Sequence, residues 1–346
     1  MRIRNYQGLI AKFFKGIFDT MKHISVLVPI GVHIGIVDGT CDLFTEANDF
    51  LVSLGRQPYF HLNFVGISRE ITSKGGLFSV KPNDHIDAVK KTDLIIIPPC
   101  FQTDLQTTID KNKEFLKWIQ GQHNHHGSEI ASLCIGAFLL ASTGLLDQRK
   151  CATNWMVAED FKKMFPKVMI ETDKVIVDER GLYSSGGGYS YMNLILYLIE
   201  KYTGREVAVH CSKVFQIDIS YKSQSAFIIF SGQKQHSDEK VKSVQKYIEE
   251  HFQEKITVDE LAQLYCIGRR SLELRFKKAT SNTIVEYLQR VKIEAAKRNF
   301  ELSKKSVNEV MFETGYTDSK AFRSLFKRIT GVSPIEYSNK YSTLKH

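Results

Sequence analysis

The feature that most constrains the fold of this 346-residue chain is a duplication with a period of fifty residues near its carboxyl end. Leu272 and Phe276 recur as Phe322 and Phe326, Lys277 and Lys278 as Lys327 and Arg328, and Thr280, Glu286 and Tyr287 as Thr330, Glu336 and Tyr337. Upstream, Glu260 recurs as Glu309 at an offset of 49, so the second copy has the longer turn. Each copy reads as a helix, a short turn and a second helix whose apolar i, i+4 pair marks its buried face. TIVEYLQRVKIEAAKRNFEL joins the copies as one long helix, which makes the module an all-α double helix-turn-helix.

In such a unit the second helix enters a major groove and its early, outward residues meet base edges. Those residues are Arg269, Arg270 and Glu273 in the first copy and Ser319, Lys320 and Arg323 in the second. Guanidinium groups suit bidentate contact with guanine, and a glutamate can accept from cytosine. Lys277, Lys278, Lys327 and Arg328 follow a turn later, placed for phosphate. Charge agrees: residues 237–346 hold 21 Lys/Arg against 15 Asp/Glu, residues 1–20 hold four against one, and the body between is neutral in a chain of net charge +9. A basic module on a neutral body points to double-stranded DNA as that module's partner. The rival reading is a helical interaction module with solvated charges; the duplication and the placement of the cations favour DNA.

The first two hundred residues have another rhythm. KHISVLVPIG (22–31), FHLNFVGIS, TDLIIIPPC (92–100) and EIASLC are strand-like apolar runs, and CDLFTEANDFLVSLG (41–55), NKEFLKWIQG and YMNLILYLIEKY have helical spacing between them. KVIVDERGLYSSGGG reads as a hairpin ending in a glycine-rich turn. Such alternation predicts an α/β sandwich with a parallel sheet covered on both faces. The expected organisation is a basic amphipathic extension over 1–20 with no assigned function, an α/β domain over 21–219, a polar linker over 220–237 and a DNA-binding domain over 238–346. No run of 18 apolar residues appears, so no membrane span is expected. The six scattered cysteines, without a CxxC pair, read as reduced thiols of a cytoplasmic protein. His123, His125 and His126 read as a solvated loop rather than a metal site, and neither metal nor cofactor is expected.

EIASLCIGAFLLASTG (129–144) runs from a buried strand into Cys134 and at once into an apolar helix. An elbow of this kind presents its side chain at the carboxyl edge of the sheet, where open α/β folds bind ligands. Backbone donors at the helix start are expected to lower the thiol pKa, and Gly136 to let the turn close.

GYTDSKAFRSLFKRITGVSPIEY (315–337), with Gly315, Tyr316, Phe322, Phe326, Gly331 and Pro334, resembles the signature of AraC/XylS-type transcriptional regulators. SLCIGAFLLASTGLLDQRKCATNW (132–155) resembles the elbow region of the class I glutamine-amidotransferase-like, PfpI-type superfamily. Together with SSGGG and SQSAF, the stretch 21–340 is similar to the GlxA-like regulators, which fuse the two domains. The resemblance implies a sequence-specific DNA-binding regulator whose first domain binds a small-molecule effector or mediates homodimerisation. Two departures are local: Gly268 stands where a Ser commonly caps the recognition helix, and Ser338 where an Arg is usual.

The protease relatives carry His directly after the Cys, where this chain has Ile135; regulator relatives often carry His where it has Asn154; the superfamily's acid falls at Asp38. A hydrolytic cysteine needs a base within hydrogen-bond reach. Cys134, Asp38 and Asn154 are therefore expected to be vestigial and the chain not an enzyme, with Cys134, Ile135, Asp38 and Asn154 lining a ligand pocket. Inert packing, pocket wall and redox-sensitive thiol remain open for Cys134. The competing functions are a cysteine hydrolase or amidotransferase using Cys134, and a thiol redox sensor.

Overall fold

An apolar run such as Ile24 to Val28 can be buried on both sides only inside a sheet whose two faces are covered, and a computed structural model places it there. The structure describes residues 21–342 except 74, 75, 235 and 304; the expected extension over 1–20 lies outside the described residues. The chain divides into two units between Gln224 and Ser225.

The first unit begins with β1 (Lys22–Val28), α1 (Ile34–Ser53), β2 (Phe60–Gly66), β3 (Ile71–Ser73), β4 (Phe78–Val80), β5 (Asp84–His85) and β6 (Leu94–Ile97). Then come α2 (Leu105–Lys111), α3 (Lys113–His126), β7 (Glu129–Ser132), α4 (Ala137–Ser142), β8 (Lys150–Cys151) and α5 (Ala158–Met164). It closes with β9 (Met169–Ile170), β10 (Ile176–Asp178), β11 (Leu182–Ser185), α6 (Ser190–Thr203) and α7 (Arg205–Val214). A seven-stranded sheet has the order β10-β11-β7-β6-β1-β2-β5. Every pairing in it is parallel except the β10–β11 hairpin. Val26 lies opposite Phe64 on one side and Ile96 on the other. Because side chains alternate across a strand, Ile24, Val26 and Val28 pack under α1, α6 and α7, while Leu27, Ile95, Ile97 and Ile130 pack under α3 and α4. The expected α/β sandwich is therefore the observed one.

Two local readings differ here. Helix α1 starts at Ile34 rather than near Cys41, because Gly35 and Gly39 dilute the apolar spacing there. Gly39 is needed for packing, since a Cβ would overlap the Tyr191 hydroxyl. The three histidines form the last turn of α3, not a loop: Gly127, at φ 68°, closes the helix, and His123 Nδ1 lies 2.8 Å from the Ser128 carbonyl oxygen. Imidazoles suit the negative end of a helix, and among the described residues no cluster of His, Cys, Asp or Glu could hold a metal.

At the amino ends of the strands, Glu129 gathers Lys22 at 3.1 Å, Lys201 at 2.6 Å and the hydroxyls of Tyr183 and Tyr202. Burial alone would raise this carboxyl; the donations from Lys201, Tyr183, Tyr202 and Lys22 outweigh it and bring it down to about 2.

The second unit contains α8 (Glu239–His251), α9 (Val258–Leu264), α10 (Arg269–Thr280), α11 (Ile284–Leu302), α12 (Val307–Glu313), α13 (Ser319–Thr330) and α14 (Pro334–Tyr341). It has two cores that share α11. Ile284 and Tyr287 join Val241, Val244, Ile248, Leu261, Leu272 and Phe276 in one. Ile293, Ala296 and Phe300 join Val310, Met311, Phe322, Phe326 and Tyr337 in the other. The duplication extends to hydrogen bonds. Thr280 donates to the Phe276 carbonyl and Thr330 to the Phe326 carbonyl, both at 2.8 Å. Capping boxes recur at Thr257–Glu260 and Ser306–Glu309, and again at Thr283–Glu286 and Ser333–Glu336. The left-handed residue after the second helix of each copy is Ser281, at φ 57°, and Gly331, at φ 79°.

The stretch 220–237, expected as a linker, is instead divided between the units. Gln224 is buried in the first, and residues 225–234 form a strap across the second. Ala226 enters one core of that unit and Phe230 packs against the other. Lys297 Nζ donates to the Ile228 carbonyl at 2.5 Å and to Glu294 at 3.0 Å, and Glu294 accepts from the Phe230 N–H at 3.1 Å. The apolar run of the strap, Ala226 to Phe230, is only five residues long and flanked by polar ones, too short to show a helical or strand period in the sequence. No helix among the described residues is long and apolar enough to cross a membrane.

Candidate nucleic-acid interface and cysteine elbow

The second helices of the two copies, α10 and α13, bury Leu272, Phe276 and Thr280, and Phe322, Phe326 and Thr330. A step of two residues along a helix turns about 200°, so the opposite ridges are Arg270–Leu274–Lys278 and Lys320–Ser324–Arg328, and all six residues are exposed. Arg323, Lys277 and Lys327 flank these ridges, also exposed. Among the described residues Arg270, Lys278, Lys320, Arg323 and Lys327 form no ion pair, which leaves their charge available to a polyanion.

Not every residue expected to read bases lies on that face. Arg269 Nη1 is 2.8 Å from Asp259 and its Nε 3.4 Å from Glu273, so Arg269 and Glu273 neutralise each other on the flank next to α9. Ser319 is half-buried in the first turn of α13, beside the cap Asp318, which accepts from the Lys320 and Ala321 N–H groups. Of the phosphate candidates, Lys277 donates to the Ser281 carbonyl at 2.9 Å and approaches Glu286 at 3.6 Å, and Arg328 donates to Gln289 at 3.0 Å. Leu274 and Ser324 escaped the sequence reading because base-reading candidates were sought only among the earliest residues of each second helix; the signal was their offset of two from Leu272 and Phe322. Helix α10 has no side-chain cap at Gly268, but its flank is anchored by Arg275, which makes a two-pronged bond to Asp238 at 2.6 and 2.7 Å. The guanidinium holds the Asp238 carboxyl below the usual range.

In the first unit the strand β7 runs through Leu133 to Cys134, whose φ of 53° makes the elbow. A Cβ on Gly136 would overlap the Ile97 carbonyl and sit 3.0 Å from that of Pro98, so only glycine lets the turn pass so close to the backbone after β6. The Cys134 N–H donates to Ser185 Oγ at 3.2 Å, and Thr153 donates to the Cys134 carbonyl at 2.8 Å. Asn154 Nδ2 lies 3.7 Å from Sγ, and the Ile135 and Gly188 N–H groups also donate to the sulfur. The glycine turn fits around these groups: a Cβ on Gly187 would come within 2.6 Å of Asn154, and one on Gly186 within 2.7 Å of the Gln224 amide. That amide accepts from the Gly187 N–H and donates to the carbonyls of Thr153, Thr172 and Lys174.

The elbow is thus present, but Cys134 is buried, only 7% exposed. Burial raises its pKa against the pull of Ile135, Asn154 and Gly188, reversing the lowered value expected from backbone donors. Of the four pocket candidates, Cys134 and Asn154 meet directly. Ile135 brings its N–H to the sulfur while its half-buried side chain packs on the core beneath α3 and α4. Asp38 is exposed on α1, with its charge acting on Cys41 and Tyr191, and no hydrogen bond links it to Cys134. A carboxamide is the side chain that meets the sulfur, and it cannot take a proton near neutral pH.

Comparison with known proteins matches both units. Residues 44–201 match the DJ-1/PfpI family and residues 261–340 a helix-turn-helix domain. The chain is similar to the HTH-type transcriptional regulator ArgR of Pseudomonas aeruginosa, 28% identical over 215 residues, 62% of this chain and 65% of that one. It is also similar to GbdR of the same species, an HTH-type transcriptional regulator, 24% identical over 281 residues, 81% of this chain and 75% of that one. A crystal structure from Vibrio parahaemolyticus, of a protein proposed to be a transcriptional regulator, superposes with a TM-score of 0.50 at 25% identity, over 56% of this chain and 98% of that one. With the elbow sheet and the duplicated readers each recognised in its own unit, the chain joins a DJ-1/PfpI-type α/β domain to an AraC-type helix-turn-helix domain, and it is similar to the HTH-type transcriptional regulator GlxA of Rhizobium meliloti, 22% identical over 210 residues, 60% of this chain and 64% of that one.

Proposed function

We propose that this protein is a sequence-specific DNA-binding transcriptional regulator, acting in the cytoplasm. The observation that carries the reading is the pair of outward ridges, Arg270–Leu274–Lys278 and Lys320–Ser324–Arg328, each opposite a buried pair at the same place in its copy. Arg270, Lys320 and Arg323 read base edges, and Lys278, Lys327 and Arg328 hold phosphates. Arg269 and Glu273, paired with each other, and Ser319, half-buried, take lesser parts. The first unit is non-catalytic and serves as a small-molecule effector or homodimerisation domain. The pairing of Cys134 with Asn154 supports this, because the side chain that meets the thiol is a carboxamide, which cannot act as a base near neutral pH.

Fluorescence anisotropy with the full chain and duplexes selected from a random pool tests the reading. Arg270→Ala or Lys320→Ala is expected to weaken preference by about 1–3 kcal/mol per bidentate contact. Lys278→Ala is expected to lower the salt dependence by about one unit of slope with little change in preference. A chain that binds every duplex no better than random competitor overturns the proposal.

A further inference from the structure

The geometry points to a thymine-reading site on the first recognition helix, at Leu274; this deepens the proposed function and rests on it. Leu274 is 63% exposed, in the middle of a helix whose other large apolar residues, Leu272 and Phe276, are fully buried. It is not part of either core of its unit. Its neighbours four residues away on either side are Arg270 and Lys278, and Lys277 stands three residues on, so an apolar group is ringed by cations. A protein partner recruited by apolar contact would be met by at least three positive charges around one leucine. A DNA major groove meets the cations with phosphates and offers a single apolar feature at base level, the 5-methyl group of thymine.

The duplication sharpens the argument. The matching position of the second copy holds Ser324, between Lys320 and Arg328, in a helix of the same length with the same buried spacing. The two readers therefore present the same cationic frame with different centres, a methyl-seeking leucine and a hydroxyl that donates or accepts. The half-site under α10 then contains a thymine whose methyl packs on Leu274, and the half-site under α13 carries no such requirement. The operator is asymmetric at this one position, which lets the tandem readers engage DNA in only one direction.

The test uses the full chain, with motifs selected from random duplexes for wild type and Leu274→Ser, the residue that stands in the other copy. Wild type is expected to select a thymine at one fixed position of one half-site, and Leu274→Ser to lose that preference while keeping the rest of the motif. Replacing that thymine by deoxyuridine, which removes only the methyl, is expected to weaken wild type roughly fourfold, the effect of one buried methyl, and to leave Leu274→Ser unchanged. Because the side chain is exposed, circular dichroism of the variant should match wild type. A motif that forms normally but tolerates deoxyuridine at every thymine, or an unchanged motif for Leu274→Ser, overturns this inference and leaves the proposed function standing. Selection of no motif at all overturns both.

Discussion

Replacing Lys297 by methionine isolates the strongest anchor of the strap. Its side chain is 4% exposed, and its ammonium is shared between the Ile228 carbonyl at 2.5 Å and Glu294 at 3.0 Å. Methionine keeps the volume and removes the charge, which leaves the Glu294 carboxylate buried with one neutral donor, the Phe230 N–H. Breaking one side of a buried ion pair costs about 3–5 kcal/mol. Since 1.4 kcal/mol is a factor of ten, amides of α11, α12 and α13 should exchange with solvent between roughly a hundredfold and a few thousandfold faster. Native-state hydrogen exchange read by mass spectrometry measures this in the full chain, peptide by peptide. Adding Glu294→Gln removes the stranded charge while keeping an acceptor for Phe230, and most of the protection should return. Unchanged exchange in these helices after Lys297→Met, or a double variant that opens as readily as the single one, would refute the claim that the pair holds the strap.

Two further outcomes follow from local geometry. Ser281→Gly should stabilise the second unit by about 0.5–1 kcal/mol, since a left-handed non-glycine residue costs about 1–2 kcal/mol and the added chain freedom of glycine offsets part of the gain; the reverse change, Gly331→Ser, should destabilise it, and denaturant midpoints followed by exchange in α10 and α13 decide the matter. Glu129, held at about 2, contributes stability that is complete above its ordinary pKa of 4.5 and is lost as pH falls from there towards 2. Glu129→Gln should cost the first unit about 2 kcal/mol at pH 7, and between pH 5 and 2 its stability should fall less steeply than that of wild type; parallel profiles would remove Glu129 from the account.

Both units were legible in the sequence for different reasons. The helical module declared itself by repetition: Leu272/Phe276 and Phe322/Phe326 fix the buried faces, and those faces fix the outward ones. The sheet declared itself by continuous apolar runs, which only a doubly covered parallel sheet accommodates. Features made by side chains meeting from distant segments were out of reach. Nothing local in 220–237 says that Lys297 lies against the Ile228 carbonyl, or that Gln224 belongs to the glycine turn. The elbow at Cys134 was readable as a backbone event, yet the sign of its pKa shift was not, because burial depends on how tightly Thr153, Ser185 and Gly188 close around it. Arg269 and Glu273 show the limit of reading by charge: attractive as base contacts one at a time, they are occupied with each other.

Gln224 spends every polar atom of its amide on the glycine turn and on the carbonyls of residues 153, 172 and 174. A molecule shouldering Gly187 or Asn154 aside to reach the thiol must undo that knot, and the knot is the last stitch of its unit. One residue later the thread enters the other unit, where Ala226 is sewn into the fabric beneath the second reader. The residue that locks the glycine turn and the residue that enters the core beneath α13 thus stand two positions apart on one main chain, each fixed within its own unit.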